Sequence, residues 1–202
     1  MSLLDELEAA MATETPFIAP PGGRRAASVA AIFADADEGP ELLLLRRSQR
    51  ADDPWSGHIA FPGGRIDLED DGPKAAAERE TLEEVGLDLS DAISVGRLSD
   101  VCGAGRPIVI SAFVYRLPER RPLTPDPREV AHAWWQPVAG LLDPTRRRRH
   151  DFCWEGRPWP APAIDLLGPG GPLLWGLTYH FITEIMARVG HALPRHRRPD
   201  RR

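Results

Sequence analysis

The sequence is poor in cysteine, in long apolar runs and in basic residues near its start. The two cysteines, Cys102 and Cys153, fit no metal-binding spacing, so we predict free thiols and a reducing, cytoplasmic location. The longest apolar run, residues 29–34, is far too short to cross a bilayer, which predicts no membrane association. The first eight residues carry acids where a signal or transit peptide would carry lysine or arginine. No export is therefore expected.

Charge is unevenly distributed along the chain. The net charge is −5, but the residues from Arg188 onward hold six arginines against one aspartate, so residues 1–187 carry −10. An acidic body of this kind repels nucleic-acid phosphates and suits divalent cations, so no nucleic-acid partner is expected. Residues 191–202 are interpreted as a basic disordered tail. A nucleic-acid binder that uses this tail is the alternative.

The pattern along the chain predicts one α+β domain at residues 24–190, preceded by a helix and linker at residues 1–23. Apolar spacing predicts helices at residues 2–12, 139–142 and 173–189. Alternation predicts strands at residues 28–34, 41–46, 58–61, 92–101, 108–117 and 131–138, and a hairpin across 152–154 and 163–166. A further helix is predicted between Pro73 and Gly86, because proline favours a helix start and glycine a helix end.

Three glutamates share one arc of that helix, at positions Glu80, Glu83 and Glu84. The opposite arc, interpreted as the stripe that faces the core, holds Leu82, Ala75 and Val85. The acids can form a solvated face, or they can hold Mg²⁺ or Mn²⁺, ions that prefer carboxylate and carbonyl oxygens. The turn that ends at Gly64 favours the metal site, because glycine lets bare backbone approach an ion or a phosphate.

Residues 64–87 resemble the signature of Nudix hydrolases, Gly-x5-Glu-x7-Arg-Glu-U-x-Glu-Glu-x-Gly-U, where U is apolar. The second half matches at residues 79–87, Arg-Glu-Thr-Leu-Glu-Glu-Val-Gly-Leu, with Thr81 at one apolar position. Gly64 lies one residue further from Arg79 than in the signature, and Asp70 or Asp71 replaces the first glutamate. The same lengthened loop occurs in the coenzyme A pyrophosphatase branch of the family.

A second block resembles the upstream pattern of that branch. It comprises Leu-Leu-Leu-Arg-Arg-Ser at residues 43–48 and Gly-His-Ile-Ala-Phe-Pro-Gly-Gly at residues 57–64. The spacing between the two parts is one residue longer than in the branch, and Asp52 or Asp53 stands where its middle arginine is expected. Residues 174–179 also resemble the start of the branch's last helix.

The resemblance implies a Nudix fold, an α/β/α sandwich with a mixed β-sheet, and metal-dependent hydrolysis of a nucleoside diphosphate derivative. The metal ligands that it implies are Glu80, Glu84, Glu83 and the carbonyl of Gly64. The catalytic residues that it implies are Glu83, Glu84 and Arg79. Glu83 is either a third ligand or the base that takes a proton from water, and the base can also come from a distant loop. Arg79 is interpreted as the partner that orients the glutamates, with Asp70 or Asp71 as its other contact.

Further residues are candidates for binding substrate. Gly63 and Gly64 can approach a phosphate, and Arg46 and Arg47 either contact phosphates or form a solvated strand end. One ring of Trp134 and Trp135 is predicted to be core and the other to line a base pocket or an interface.

Two more regions are singled out near the expected substrate. The run at residues 146–149 either binds the 3′-phosphate of coenzyme A or forms an exposed loop. Asp100 and the turn at residues 103–107 are expected at the substrate mouth.

The most specific function that the resemblance implies is cleavage of coenzyme A or acyl-CoA to 3′-phospho-ADP and 4′-phosphopantetheine. Another Nudix substrate, such as ADP-ribose, a dinucleotide or a nucleoside triphosphate, is one alternative. A non-catalytic module that only binds a nucleotide is another, and retention of all three helix glutamates favours an enzyme over it. The sequence leaves both a monomer and a homodimer open.

Overall fold

The computed structural model describes residues 1–20, 23–50, 55–102, 108–154 and 157–195. Its helices are α1 Leu3–Thr13, α2 Gly72–Val85, α3 Val138–Leu142 and α4 Gly176–Arg188. Its strands are β1 Arg25–Ala34, β2 Glu41–Arg47, β3 Ile59–Ala60, β4 Gly63–Arg65, β5 Ile93–Arg97, β6 Val101–Cys102, β7 Ile108–Leu117, β8 Val130–Pro137, β9 Arg147–Trp154 and β10 Arg157–Ile164. The sequence interpretations of Asp52, Asp53, residues 103–107 and residues 196–202 lie outside the described residues.

Within the described residues, eight strands form one mixed sheet. Its central path is β3-β2-β1-β7-β5, to which β8 adds through β2, β4 through β1 and β6 through β7. The pair β1 and β7 is parallel, whereas the other pairs are antiparallel. Strands β9 and β10 form a separate antiparallel hairpin, longer than the one predicted. The expected mixed sheet is confirmed.

Helices cover both faces of the sheet. Leu42 and Leu44 of β2 lie in the core with α1 and α4, whereas Leu43 and Leu45 lie in the core with α2. The run of four leucines is therefore a strand buried on both sides, which removes the usual polar alternation. The α/β/α sandwich is confirmed, and α2 alone among these three helices lies on the face that carries the candidate site.

Helix α2 ends as the sequence predicts, but its buried face differs. Gly86 caps it with a left-handed φ of 68°. The predicted core stripe is wrong for Leu82, which is 51% exposed. The helix instead packs against the sheet through a face that comprises Ala76, Ala77, Thr81, Glu84 and Val85. Small residues allow this close approach, and the Thr81 hydroxyl donates to the Ala77 carbonyl at 2.6 Å. The glutamates therefore do not form one solvated arc.

The C-terminal region differs from its predicted boundaries. Residues 173–175 precede α4 instead of beginning it, and Leu174 pairs with Ile164 of β10. Residues 191–195 lie against the domain, contrary to a disordered tail that begins at residue 191, because Leu193 is buried and the Pro194 carbonyl accepts the Tyr179 hydroxyl.

None of the helices among the described residues is both long enough and apolar enough to cross a membrane.

Candidate metal site

Glu84 is a buried carboxylate at the C-terminal end of α2. Its side chain is 2% exposed, and one of its oxygens accepts the Gly63 backbone N–H at 2.9 Å. Its other oxygen lies 3.6 Å from the Arg47 guanidinium. Burial raises the pKa of Glu84 to about 8, and the Gly63 and Arg47 contacts offset only part of that effect. The cost of burying the Glu84 charge is therefore only partly offset by its neighbours, and this favours the binding of a cation.

Two further glutamates converge on Glu84. One oxygen each from Glu80, Glu84 and Glu129 lie within 4.8 Å of one another. Burial also raises the pKa of Glu80, although Arg79 partly opposes it. Three carboxylates at this separation repel one another unless a positive charge lies between them, and hard divalent ions prefer such oxygen ligands.

The sequence analysis did not identify Glu129 as a site residue, because Glu129 is a single acidic residue ahead of a strand. Backbone contacts hold its loop in place: Thr124 and Asp126 N–H groups donate to carbonyls at the end of α2, and the Ser48 N–H donates to the Glu129 carbonyl at 2.8 Å. The loop therefore joins α2 to the end of β2. These tertiary contacts bring Glu129 to the helix, and no local sequence pattern marks contacts of this kind.

Arg79 holds the loop ahead of α2 to the helix. Its guanidinium donates to both oxygens of Asp70 at 2.8 and 2.9 Å, to Glu80 at 3.2 Å and to Glu83 at 2.9 Å. It also donates to the Arg65 carbonyl. The paired guanidinium lowers the pKa of Asp70 to about 2. Asp70, and not Asp71, is therefore the partner in the structure.

Glu83 lies apart from the three-glutamate group. Its side chain is 58% exposed and its ion pair is with Arg79, and the group of carboxylates close enough to share an ion contains Glu80, Glu84 and Glu129 instead. Its roles as ligand and as base stay predictions, while its observed contact is with the arginine that also touches Glu80.

The two turn glycines fit the site in different ways. At Gly64 an added Cβ would lie 2.4 Å from the Glu80 carboxylate. The Glu80 carboxylate therefore occupies the space that a side chain at position 64 would need. At Gly63, with φ 148°, an added Cβ would lie 2.3 Å from the Ser28 backbone carbonyl. The donor set and this close packing of Gly64 against Glu80 fit a divalent cation.

Replacing Gly64 by alanine is expected to leave a folded protein that has lost its metal site. The new methyl group would displace the flexible Glu80 carboxylate, whereas in Gly63→Ala it would strike the backbone of β1. We therefore expect Mn²⁺ affinity to fall at least tenfold in Gly64→Ala with an unchanged circular dichroism spectrum, and Gly63→Ala to lose thermal stability. Full Mn²⁺ affinity in Gly64→Ala would contradict this packing.

The two arginines predicted to bind substrate point to opposite faces of the sheet. Arg47 lies with Glu84 on the α2 face, where it lines a cavity of about 300 Å³. This cavity is further lined by Gly63, Gly64, Arg65, Asp67, Glu80, Glu84 and Glu129. Arg46 pairs across the sheet with Ile59, a member of the core on the other face. Arg47, but not Arg46, therefore shares a cavity with the glutamates.

The arginine run at residues 146–149 is not an exposed loop, since Arg146 ends a short 3-10 helix and Arg147 to Arg149 begin β9. Arg147 donates to the carbonyls of Leu141 and Leu142, and Arg148 pairs with Asp165. The run borders a separate cavity of about 310 Å³, lined by the hairpin, Tyr179 and Pro194. Most of its charge is thus used within the fold, and no residue of this cavity belongs to the glutamate group.

Asp100, which was expected at the substrate mouth, holds the N-terminal linker to the sheet. Its carboxylate accepts from Arg97 at 2.7 Å, from the Ser111 hydroxyl at 2.9 Å and from the Ala19 backbone N–H at 2.8 Å. Asp100 is 8% exposed. Its described contacts are all within the protein and are structural.

Comparison with known proteins identifies relatives of this chain. The family model for the NUDIX domain matches residues 24–153. Human mitochondrial coenzyme A diphosphatase NUDT8 is 31% identical over 151 residues, which is 74% of this chain and 63% of that protein. An uncharacterized protein of Schizosaccharomyces pombe is 42% identical over 117 residues, 54% of this chain and 36% of that protein. This chain therefore spans less than two thirds of the length of either relative.

Solved structures with the same fold include distant sequences. A MutT/nudix family protein from Enterococcus faecalis superposes with a TM-score of 0.55 at 17% identity, covering 94% of this chain and 70% of that one. DR0079 from Deinococcus radiodurans gives a TM-score of 0.51 at 13% identity, covering 84% and 90%. At such identities the likeness extends to the fold alone.

Proposed function

Because the chain belongs to the Nudix hydrolase family, we propose that it is a metal-dependent diphosphatase whose ion is held by Glu80, Glu84 and Glu129. The observation that carries this proposal is the convergence of three carboxylates within 4.8 Å beside the glycine turn. The metal is Mg²⁺ or Mn²⁺, since both prefer oxygen ligands. When bound, such an ion offsets the negative charge of a diphosphate and makes a water molecule more acidic.

The chain's own residues supply the rest of the site. Arg47 and Arg65 line the cavity beside the glutamates, and we assign them to the binding of diphosphate oxygens. Gly63 and Gly64 line the same cavity, and Gly64 is a further candidate ligand through its carbonyl. Arg79 acts as a positioning residue, since it joins Asp70 of the loop to Glu80 of the helix. We assign Glu83 to the same task and keep it as a candidate base.

The substrate that we propose is coenzyme A or an acyl-CoA, cleaved to 3′-phospho-ADP and 4′-phosphopantetheine or its acyl form. The lengthened loop ahead of Arg79, the block at residues 43–64 and the likeness to NUDT8 support it. The departure at Asp52 and Asp53 from the branch pattern counts against it. A hydrolase for ADP-ribose, a dinucleotide or a nucleoside triphosphate is the second candidate.

A panel of diphosphates separates these substrates. With Mg²⁺ or Mn²⁺ present, we expect coenzyme A to be converted to the two named products, identified by mass spectrometry, with a higher kcat/KM than ADP-ribose, diadenosine polyphosphates or nucleoside triphosphates. Rapid turnover of one of these and none of coenzyme A would overturn the substrate and keep the diphosphatase. No turnover of any compound would favour a nucleotide-binding module.

We also propose a cytoplasmic location. The support is the pair of cysteines, Cys102 and Cys153, which are both free and exposed in the structure and which a reducing compartment would keep as thiols. Fluorescent tagging or fractionation of the full-length protein tests this.

A further inference from the structure

The cavity between the β9–β10 hairpin and α4 has no part in the proposed reaction. Its volume is about 310 Å³, which is at the lower end of the range for small-molecule sites, about 300–1,000 Å³. Tyr179, which lines it, belongs to the core that contains α1 and α4, whereas the glutamates lie on the face of α2. The sheet therefore separates the two cavities, and a ligand of this cavity is a molecule of its own.

The charged lining of this cavity is basic, in contrast to that of the glutamate cavity. It consists of Arg147, Arg148 and Arg149, and the described residues that line the cavity include no acid. Arg148 pairs at 3.5 Å with Asp165, which lies outside the lining. The carbonyls that accept from Arg147 are neutral, so its guanidinium still contributes positive potential to the cavity. This potential favours an anion.

Arg149 is the arginine of this lining that has donors available for a ligand. Its side chain is exposed, and it forms no hydrogen bond or ion pair with any residue that the structure describes. In the register of the hairpin it lies opposite Pro162, which lines the same cavity. A guanidinium presents its N–H groups as a planar fork that matches two oxygens of a phosphate.

The rest of the lining is mainly apolar. It is formed by the alternating prolines and alanines of β10 at residues 160–163, by Tyr179 and by Pro194. The Tyr179 hydroxyl donates to the Pro194 carbonyl at 2.7 Å, which fixes the segment after α4 as one wall. Proline lacks the N–H that pairing with a further strand requires, so β10 resists an addition that would cover the cavity.

We propose that this cavity binds a phosphate monoester that carries a small apolar or aromatic group. Arg149 binds the phosphate through its fork, and the neighbouring arginines add positive potential. The wall formed by β10, Tyr179 and Pro194 contacts the apolar group. A phosphate monoester is favoured over a carboxylate because it carries a charge of about −1.5 to −2 at neutral pH, and three arginines surround it. The proposal does not depend on the diphosphatase activity.

Calorimetric titration of the full chain, with a chelator in place of metal, tests the ligand chemistry. The probes are phenyl phosphate, inorganic phosphate, benzyl alcohol and benzoate. We expect phenyl phosphate to bind at least about tenfold more tightly than inorganic phosphate or benzyl alcohol, because each of these lacks one half of the ligand. Benzoate should bind more weakly than phenyl phosphate. Equal affinity for inorganic phosphate would overturn the apolar wall, and equal affinity for benzoate would overturn the choice of a phosphate.

Arginine variants locate the bound probe. Arg149→Gln is expected to lose at least about fivefold in affinity for phenyl phosphate, with an unchanged circular dichroism spectrum because Arg149 is exposed. Arg47→Gln, in the glutamate cavity, and Arg120→Gln, at a position that is 57% exposed, should bind the probe as the wild type does. A loss in Arg47→Gln with full affinity in Arg149→Gln would move the probe to the glutamate cavity and overturn the proposal. A wild-type protein that does not bind phenyl phosphate would also overturn it.

Discussion

Replacing Glu84 by glutamine is expected to lower kcat for the best diphosphate substrate by about a thousandfold, or about 4 kcal/mol of transition-state stabilisation. The amide keeps the shape of the side chain and its hydrogen bond from the Gly63 N–H. It removes the charge of the most buried of the three converging carboxylates. The loss therefore reports on charge at the site and not on packing. Steady-state kinetics at saturating Mg²⁺ measures it.

Companion variants make this result specific. Glu129→Gln and Glu80→Gln are expected to lose activity as well, and Glu83→Gln to lose less, because Glu83 lies outside the group and contacts Arg79. Glu38→Gln, at an exposed turn position far along the chain from α2, should keep the wild-type rate. An activity of Glu84→Gln within tenfold of wild type would contradict the assigned ligand.

The metal-free protein is expected to be less stable than its Glu84→Gln variant at alkaline pH. Burial raises the pKa of Glu84 to about 8, so between about pH 4.5 and 8 the folded protein holds a proton that the unfolded chain has released. Stability of the wild type relative to the variant therefore falls as pH rises through this window and is constant above it. A gap of a few kcal/mol corresponds to a difference of about 5–10 °C in Tm at pH 8.5.

Metal addition should close that gap. An ion that binds only the folded state raises Tm with its concentration, so Mn²⁺ should stabilise the wild type at pH 8.5 and leave Glu84→Gln almost unchanged. At pH 4 the two metal-free proteins should melt together. Thermal unfolding with a chelator and with increasing Mn²⁺ measures both effects. A Glu84→Gln variant that melts below the wild type at pH 8.5 without metal would contradict the raised pKa.

The two ends of α2 could be predicted from the sequence, whereas the face of α2 that is buried could not. Pro73 and Gly86 mark its ends because proline and glycine act through backbone geometry that is fixed locally. The sequence interpretation placed Leu82 in the core because Leu82 lies opposite the three glutamates on the helix. Glu84 is buried beside Gly63 and Arg47 instead, so the buried arc lies elsewhere on the helix.

The site was likewise predictable only where its residues are close in sequence. The signature placed Glu80 and Glu84 beside the glycine turn, and the structure brings them together there. Glu129 is contributed by a loop that hydrogen bonds between α2 and β2 carry to the site, and long-range contacts of this kind leave no periodic pattern. The sequence interpretation gave Arg46 and Arg47 the same role because they are adjacent in the sequence. Adjacent residues of a strand, however, point to opposite faces of the sheet.

The most direct test of the account is an anomalous difference map from crystals soaked in Mn²⁺. We expect a peak within about 2.0–2.3 Å of carboxylate oxygens from Glu80, Glu84 and Glu129, and no such peak in crystals of Glu84→Gln. A manganese ion bound elsewhere in the protein, with these three carboxylates left in contact with water alone, would contradict the central claim.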